Sequence, residues 1–108
     1  MHHTTNTAYI NTHYTVNSIE TDSLISILWV SDITTISFRG SNRTHTENEE
    51  LFTLVEKIRP RIDTYVVGIV GTVVCVLKIT ASTGKCTLYY ASSYPAGRIY
   101  FSTTFLTA

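Results

Sequence analysis

At 108 residues with 44% apolar side chains, the chain is long enough to fold as a single domain, 1–108, and too apolar to be disordered. Eight basic and eight acidic residues cancel to a formal net charge of zero, which argues against a dedicated nucleic-acid binder and a polybasic membrane anchor. Charged residues make up only 15%, against roughly 25% in typical soluble domains, and 19 threonines fill much of the space. Threonine favours strands, and a weakly charged surface costs less to bury against another protein.

In chain order, residues 1–7 are polar and would fray unless paired into a sheet or held by a neighbour. They lack the charged-then-apolar pattern of a secretory leader, which points to the cytoplasm, or to the virion if the source is viral. Residues 8–16 carry β-formers suited to an edge strand. A clearer signal follows in the alternating runs Leu24–Val30 and Ile33–Arg39, joined by Ser31 and Asp32. A two-residue turn there puts Ile25, Ile27 and Trp29 on one face with Ile36 and Phe38. Ser26, Thr35, Ser37 and Arg39 fall on the other face, with Leu28 and Val30 as apolar exceptions. A one-residue slip would expose the whole apolar set.

Between residues 46 and 59 the pattern predicts one amphipathic helix. Thr46 and Glu49 form a capping box. Glu47, Glu49 and Glu50 open the segment while Lys57, Arg59 and Arg61 close it, an order that complements a helix dipole. Leu51, Leu54, Val55 and Ile58 follow helical spacing, and Pro60 marks the stop. Residues 65–106 then read as a β-meander with loops at 82–85 and at Pro95 and Ala96. One face collects Val73, Cys75, Leu77, Ile79, Cys86, Leu88, Tyr90, Ile99, Phe101, Thr103 and Phe105. Gly68 and Gly71 leave residues 65–70 open to two readings, a bulged continuation or a separate short strand. The longest apolar run, 66–77, is too short for a membrane span, which needs about 20 residues. The expected class is therefore α+β: an N-terminal hairpin, one helix and a C-terminal antiparallel meander.

Little in the sequence carries catalysis. Cys75 and Cys86 share a face, but the expected register sets Cys86 opposite Ala81, roughly 20 Å along the strand from Cys75, so both read as free buried thiols. His2, His3, His13 and His45 lack metal-ligand spacing, and no cofactor is expected. No nucleophile elbow is present, and Gly68 and Gly71 lack the lysine and following helix of a phosphate loop.

The second meander face, with Val74, Val76, Lys78, Thr87, Tyr89, Tyr100, Ser102 and Thr104, is semi-apolar, and one helix cannot cover both faces of the sheet. The expectation is a non-enzymatic interaction or assembly subunit, of the kind found among viral or mobile-element proteins. It would form a homo-oligomer through its sheet, with Val74, Val76, Tyr89 and Tyr100 at the interface. Two alternatives are an inhibitor or adaptor docking on a larger protein, and a single-stranded nucleic-acid binder using Arg39, Arg43, Tyr89 and Tyr100. In the latter, tyrosines beside arginines could stack on unpaired bases.

Overall fold

The computed structural model describes residues 7–9, 16–17 and 19–108. Among them, nine strands form one antiparallel sheet: β1 (Thr7–Tyr9), β2 (Val16–Asn17), β3 (Leu24–Val30), β4 (Ile33–Arg39), β5 (Glu50–Leu54), β6 (Thr64–Val70), β7 (Val73–Ile79), β8 (Lys85–Ala91) and β9 (Ile99–Leu106). Their order across the sheet is β1-β3-β4-β9-β6-β7-β8-β5-β2. The expected edge strand at 8–16 appears as its two ends, β1 and β2, and its middle lies outside the described residues, as does most of the 1–7 segment.

The first hairpin forms in the expected register. Val30 pairs with Ile33, Ile27 with Ile36 and Ile25 with Phe38, so the apolar set turns inward together. Ser31 sits at φ 56 in the turn, a left-handed conformation that closes tight hairpins.

The helix does not form, and the α+β class gives way to an almost wholly β fold. Thr46 and Glu49 do meet, the Thr46 N–H donating to the Glu49 carboxylate at 2.6 Å. Asn48, however, adopts φ 63, and the chain leaves the turn extended. The Asn48 N–H donates to the Leu88 carbonyl at 2.7 Å, and the Leu88 N–H returns to Glu49 at 2.9 Å, so the segment zips onto β8 instead. A bulge between Glu50 and Phe52 turns both Leu51 and Phe52 inward, which strict strand alternation would not. Phe52 decides the outcome. It lies off the helical stripe of Leu51, Leu54, Val55 and Ile58, yet it is fully buried against Phe38 and Phe101, with ring centroids 5.0 and 6.2 Å away. Only a short 3-10 turn, Glu56–Ile58, remains, and Arg59 ahead of Pro60 is extended, as proline demands.

The meander is also rearranged. Residues 65–70 belong to a separate strand, β6, which forms a full hairpin with β7 around Gly71 and Thr72. β9 does not follow β8 across the sheet. It returns to lie between β4 and β6, pairing along seven positions with β4 but at only two with β6, Ile69 with Tyr100 and Val70 with Ile99. The inward set Ile99, Phe101 and Phe105 is as expected, on a strand with other neighbours. A bulge in β8 places both Tyr89 and Tyr90 outside, so Tyr90 leaves the inner face assigned to it and Ala91 takes its place.

Cys86 pairs with Ile79 rather than Ala81, and Cys75 with Ala91. The two thiols are thus four positions apart along the strands, roughly 13 Å at the strand rise, and both are free and buried. Burial pushes both thiols up from their ordinary range.

Gly68 is packed tightly between β9 and β7: a Cβ there would lie 2.7 Å from the Tyr100 carbonyl and 2.9 Å from Leu77 Cδ2. Gly68→Ala is expected to destabilise the fold by about 1–3 kcal/mol through overpacking, read as a lower denaturant midpoint. Gly71→Ala, which meets nothing within 4 Å but sits at φ 62, should lose only about 1–2 kcal/mol from backbone strain. For the thiols, Ellman's reagent should find neither reactive in native protein and two after unfolding.

Candidate functional site

Strand register arranges the outer face of the sheet into rows. Leu24, Arg39, Tyr100, Ile69 and Val74 lie side by side across β3, β4, β9, β6 and β7. Two residues along, Ser26, Ser37 and Ser102 form a second row on β3, β4 and β9, and Val67, Val76 and Tyr90 a third on β6, β7 and β8. The two shorter rows do not join, because β9 and β6 part company beyond Tyr100 and Ile69.

These rows divide the face into two halves of different chemistry. Over β3, β4 and β9 a hydroxylated strip, with Ser37 and Ser102 hydroxyls 3.2 Å apart and Thr35 and Thr104 hydroxyls 3.0 Å apart, runs among exposed Leu24, Leu28, Ile33, Tyr100 and Leu106. Over β6, β7 and β8 the face is apolar and aromatic. Tyr65, Val67, Ile69, Val74, Tyr89 and Tyr90 are all exposed, Val67 at 67% of its surface. Tyr65 and Tyr89 meet edge to face at 5.2 Å, with the Lys78 ammonium about 6 Å from both rings.

Of the expected interface residues, Val74 and Val76 lie in this apolar half, Tyr89 at its far side and Tyr100 across the seam on β9. Tyr89 and Tyr100, expected to be neighbours, are separated by β6 and β7. Tyr65, Val67, Ile69 and Tyr90 were not among the expected set. Alternation in β6 and its tight turn at Gly71 carried the signal for the first three, while the β8 bulge behind Tyr90 left none.

The four residues of the nucleic-acid alternative are dispersed in the same way. Arg39 and Tyr100 are cross-strand partners. Arg43 lies elsewhere, neutralised between Glu20 at 2.7 Å and Glu49 at 2.9 Å.

That pair of carboxylates belongs to a second cluster, which ties the 41–49 loop to the rest of the fold. His45 is 2% exposed; its Nδ1 lies 2.8 Å from Glu49 Oε2 and its Nε2 2.7 Å from the Gly97 carbonyl. Both ring nitrogens face acceptors, so only the doubly protonated ring donates to both. With both nitrogens committed, His45 works as a brace. Burial opposes the charged form of Glu49, but hydrogen bonds from Arg43, His45 and the Thr46 N–H outweigh it and hold the carboxyl below its ordinary range. His2, His3 and His13 lie outside the described residues, and among the described residues no group of three or more His, Cys, Asp or Glu is placed to hold a metal ion. No described helix is long and apolar enough to cross a membrane.

Neither a protein-family model nor a curated protein sequence matches the chain. Its functional reading therefore rests on the chemistry of the two clusters and the outer face.

Because the folded-state value of Glu49 is depressed, its contribution to stability is present at neutral pH and is lost as pH falls through that value. Thermal melts between about pH 7 and about pH 3 should show this acid limb. Glu49→Gln should flatten the limb and lower stability at neutral pH by about 2 kcal/mol.

Proposed function

We propose that this protein is an interaction and assembly subunit that self-associates through the outer face of its sheet. The observation that carries the reading is the contiguous apolar and aromatic surface on β6, β7 and β8. Six exposed residues, Tyr65, Val67, Ile69, Val74, Tyr89 and Tyr90, adjoin one another through strand register. Isolated exposed apolar residues are ordinary, but a continuous patch of this kind marks an interaction site. Tyrosine is enriched at such sites because it offers apolar area with a polar tip and few rotatable bonds.

The face is favoured over the edges. Among the described residues the sheet ends in the short strands β1 and β2, of three and two residues. Two copies stacked face to face, about 10 Å apart as in β-sandwiches, would cover Val67, Val74 and the tyrosines together. Low overall charge supports the same reading, since little is desolvated when such a face is buried.

Sedimentation velocity over a wide concentration range tests this. A concentration-dependent dimer or higher oligomer is expected, and a clean monomer at the highest concentration would sink the proposal. Val67→Glu, at a position too exposed to alter folding by more than about 0.5 kcal/mol, should weaken association at least ten-fold.

A further inference from the structure

The chain carries eight basic side chains, and almost all are engaged. Arg43, Arg61 and Arg98 bond carboxylates, Arg59 bonds the Leu54 and Ser82 carbonyls, and Lys78 and Lys85 face Asp63 and Glu50. Lys57 lies over the Trp29 ring. Among the described residues, Arg39 alone makes no hydrogen bond, ion pair or aromatic contact, and its Nε is shielded from water as well as unbonded.

Arg39 also lines a groove. This cavity, about 430 Å³, runs over the outer face where β9 and β6 diverge. Leu24, Val67, Ile69 and Tyr100 wall it, Ser26, Ser37 and Ser102 lie along its floor, and Gly68 lets the core rings of Phe38 and Phe101 reach it. Its volume falls within the range of about 300–1,000 Å³ of small-molecule sites. The nearest acid, Asp22, is already occupied: it accepts from the Asn42 N–H at 3.2 Å and from Arg98 at 3.2 Å. Those two contacts hold its carboxyl below the ordinary range, Arg39 adding only a distant attraction.

We infer that this groove binds a small amphipathic carboxylate, its head on the Arg39 guanidinium and its apolar body along Leu24, Val67, Ile69 and Tyr100. A guanidinium presents planar donors matched to a carboxylate and loses less hydration than an ammonium on entering an apolar site. The lack of a carboxylate from the protein itself leaves that role to a ligand. A singly charged head suits the site better than a dianion, because the Asp22 carboxylate acts on the site at long range and would repel a second charge. The serine hydroxyls would accept or donate along the body without adding charge. The groove shares Val67 and Ile69 with the face proposed for self-association, so the titration is made at concentrations where the protein is monomeric. The head-group preference depends on Arg39, which lies across the seam on β4.

Titration of isotope-labelled protein with sodium decanoate, followed by amide and arginine Nε–H resonances, tests it. Saturable shifts at Arg39, Gly68 and Ser102 are expected. Decanol and decyltrimethylammonium should bind at least ten-fold more weakly, and Arg39→Gln should reduce decanoate affinity at least ten-fold while leaving decanol unchanged. Equal binding of decanol, or decanoate binding indifferent to Arg39→Gln, would mean a merely apolar surface and overturn the inference. So would the absence of saturation. Decyl phosphate binding as tightly as decanoate would overturn the carboxylate assignment. The head-group comparison on the unaltered protein decides the matter even if the variant fails to fold.

Discussion

The fold depends on bringing the Phe52 ring onto the rings of Phe38 and Phe101 from a strand that is distant from theirs in the sheet. Phe38 on β4 and Phe101 on β9 are cross-strand partners, so their contact at 5.3 Å follows from register alone. Phe52 on β5 is five places from β4 in strand order, yet its ring lies 5.0 Å from Phe38. A flat sheet could not make that contact. The sheet must curl until β5 comes over β4 and β9, and the natural right-handed twist of strands provides the sense of that curl. Burying an aromatic side chain contributes on the order of 2–3 kcal/mol, so the three together outweigh the helical preference of residues 46–59.

The same curl explains where the outer face is smooth and where it opens. β9 is held to β4 along its length, and β6 is held to β7 along its length, but the two hairpin layers share only two pairs at the Gly71 end. Curling pulls them apart beyond that point, starting at Gly68, where the absence of a side chain leaves room for the Tyr100 carbonyl and Phe101. The groove beside Arg39 is thus a by-product of closing the core. The aromatic half and the half that carries the hydroxyl strip meet at this seam, which is why two distinct surface chemistries lie side by side.

Local pairing was legible in part and long-range pairing was not: the first hairpin was read correctly, but the β7–β8 register was missed by two residues, Cys86 meeting Ile79 rather than Ala81. The β3–β4 hairpin could be read to the residue because its two-residue turn and its alternation fix one register. The inward set on β9 was legible for the same reason, yet nothing in residues 99–106 says whether their neighbour is β8 or β4. That choice is made by the sum of contacts across the whole chain. The helix between 46 and 59 gives way first at Asn48, which is tolerant of left-handed geometry and redirects the chain out of the Thr46–Glu49 turn, and burial of Phe52 then secures the strand. Helical spacing of Leu51, Leu54, Val55 and Ile58 was then indistinguishable from a bulged strand followed by a short turn. Bulges are the harder case, since those in β5 and β8 shift the face of Phe52 and Tyr90 with no turn residue to announce them.

Arg39 and Arg43 show how far site chemistry can be read before a structure exists. Both flank the loop before residue 46, and in sequence they are equivalent candidates for an anionic partner. Folding separates them completely. Arg43 is drawn into Glu20, Glu49 and the His45 brace, where its charge is cancelled and its contacts serve the loop. Arg39 lies on the outer face, where strand register leaves it between Leu24 and Tyr100 and Asp22 reaches it only as a distant attraction. A shielded donor without an acceptor lowers stability, and the Arg39 Nε is such a donor. The distinction between the two arginines is therefore made by which acids the topology delivers to each. That is a property of the assembled sheet, and no local pattern of residues records it.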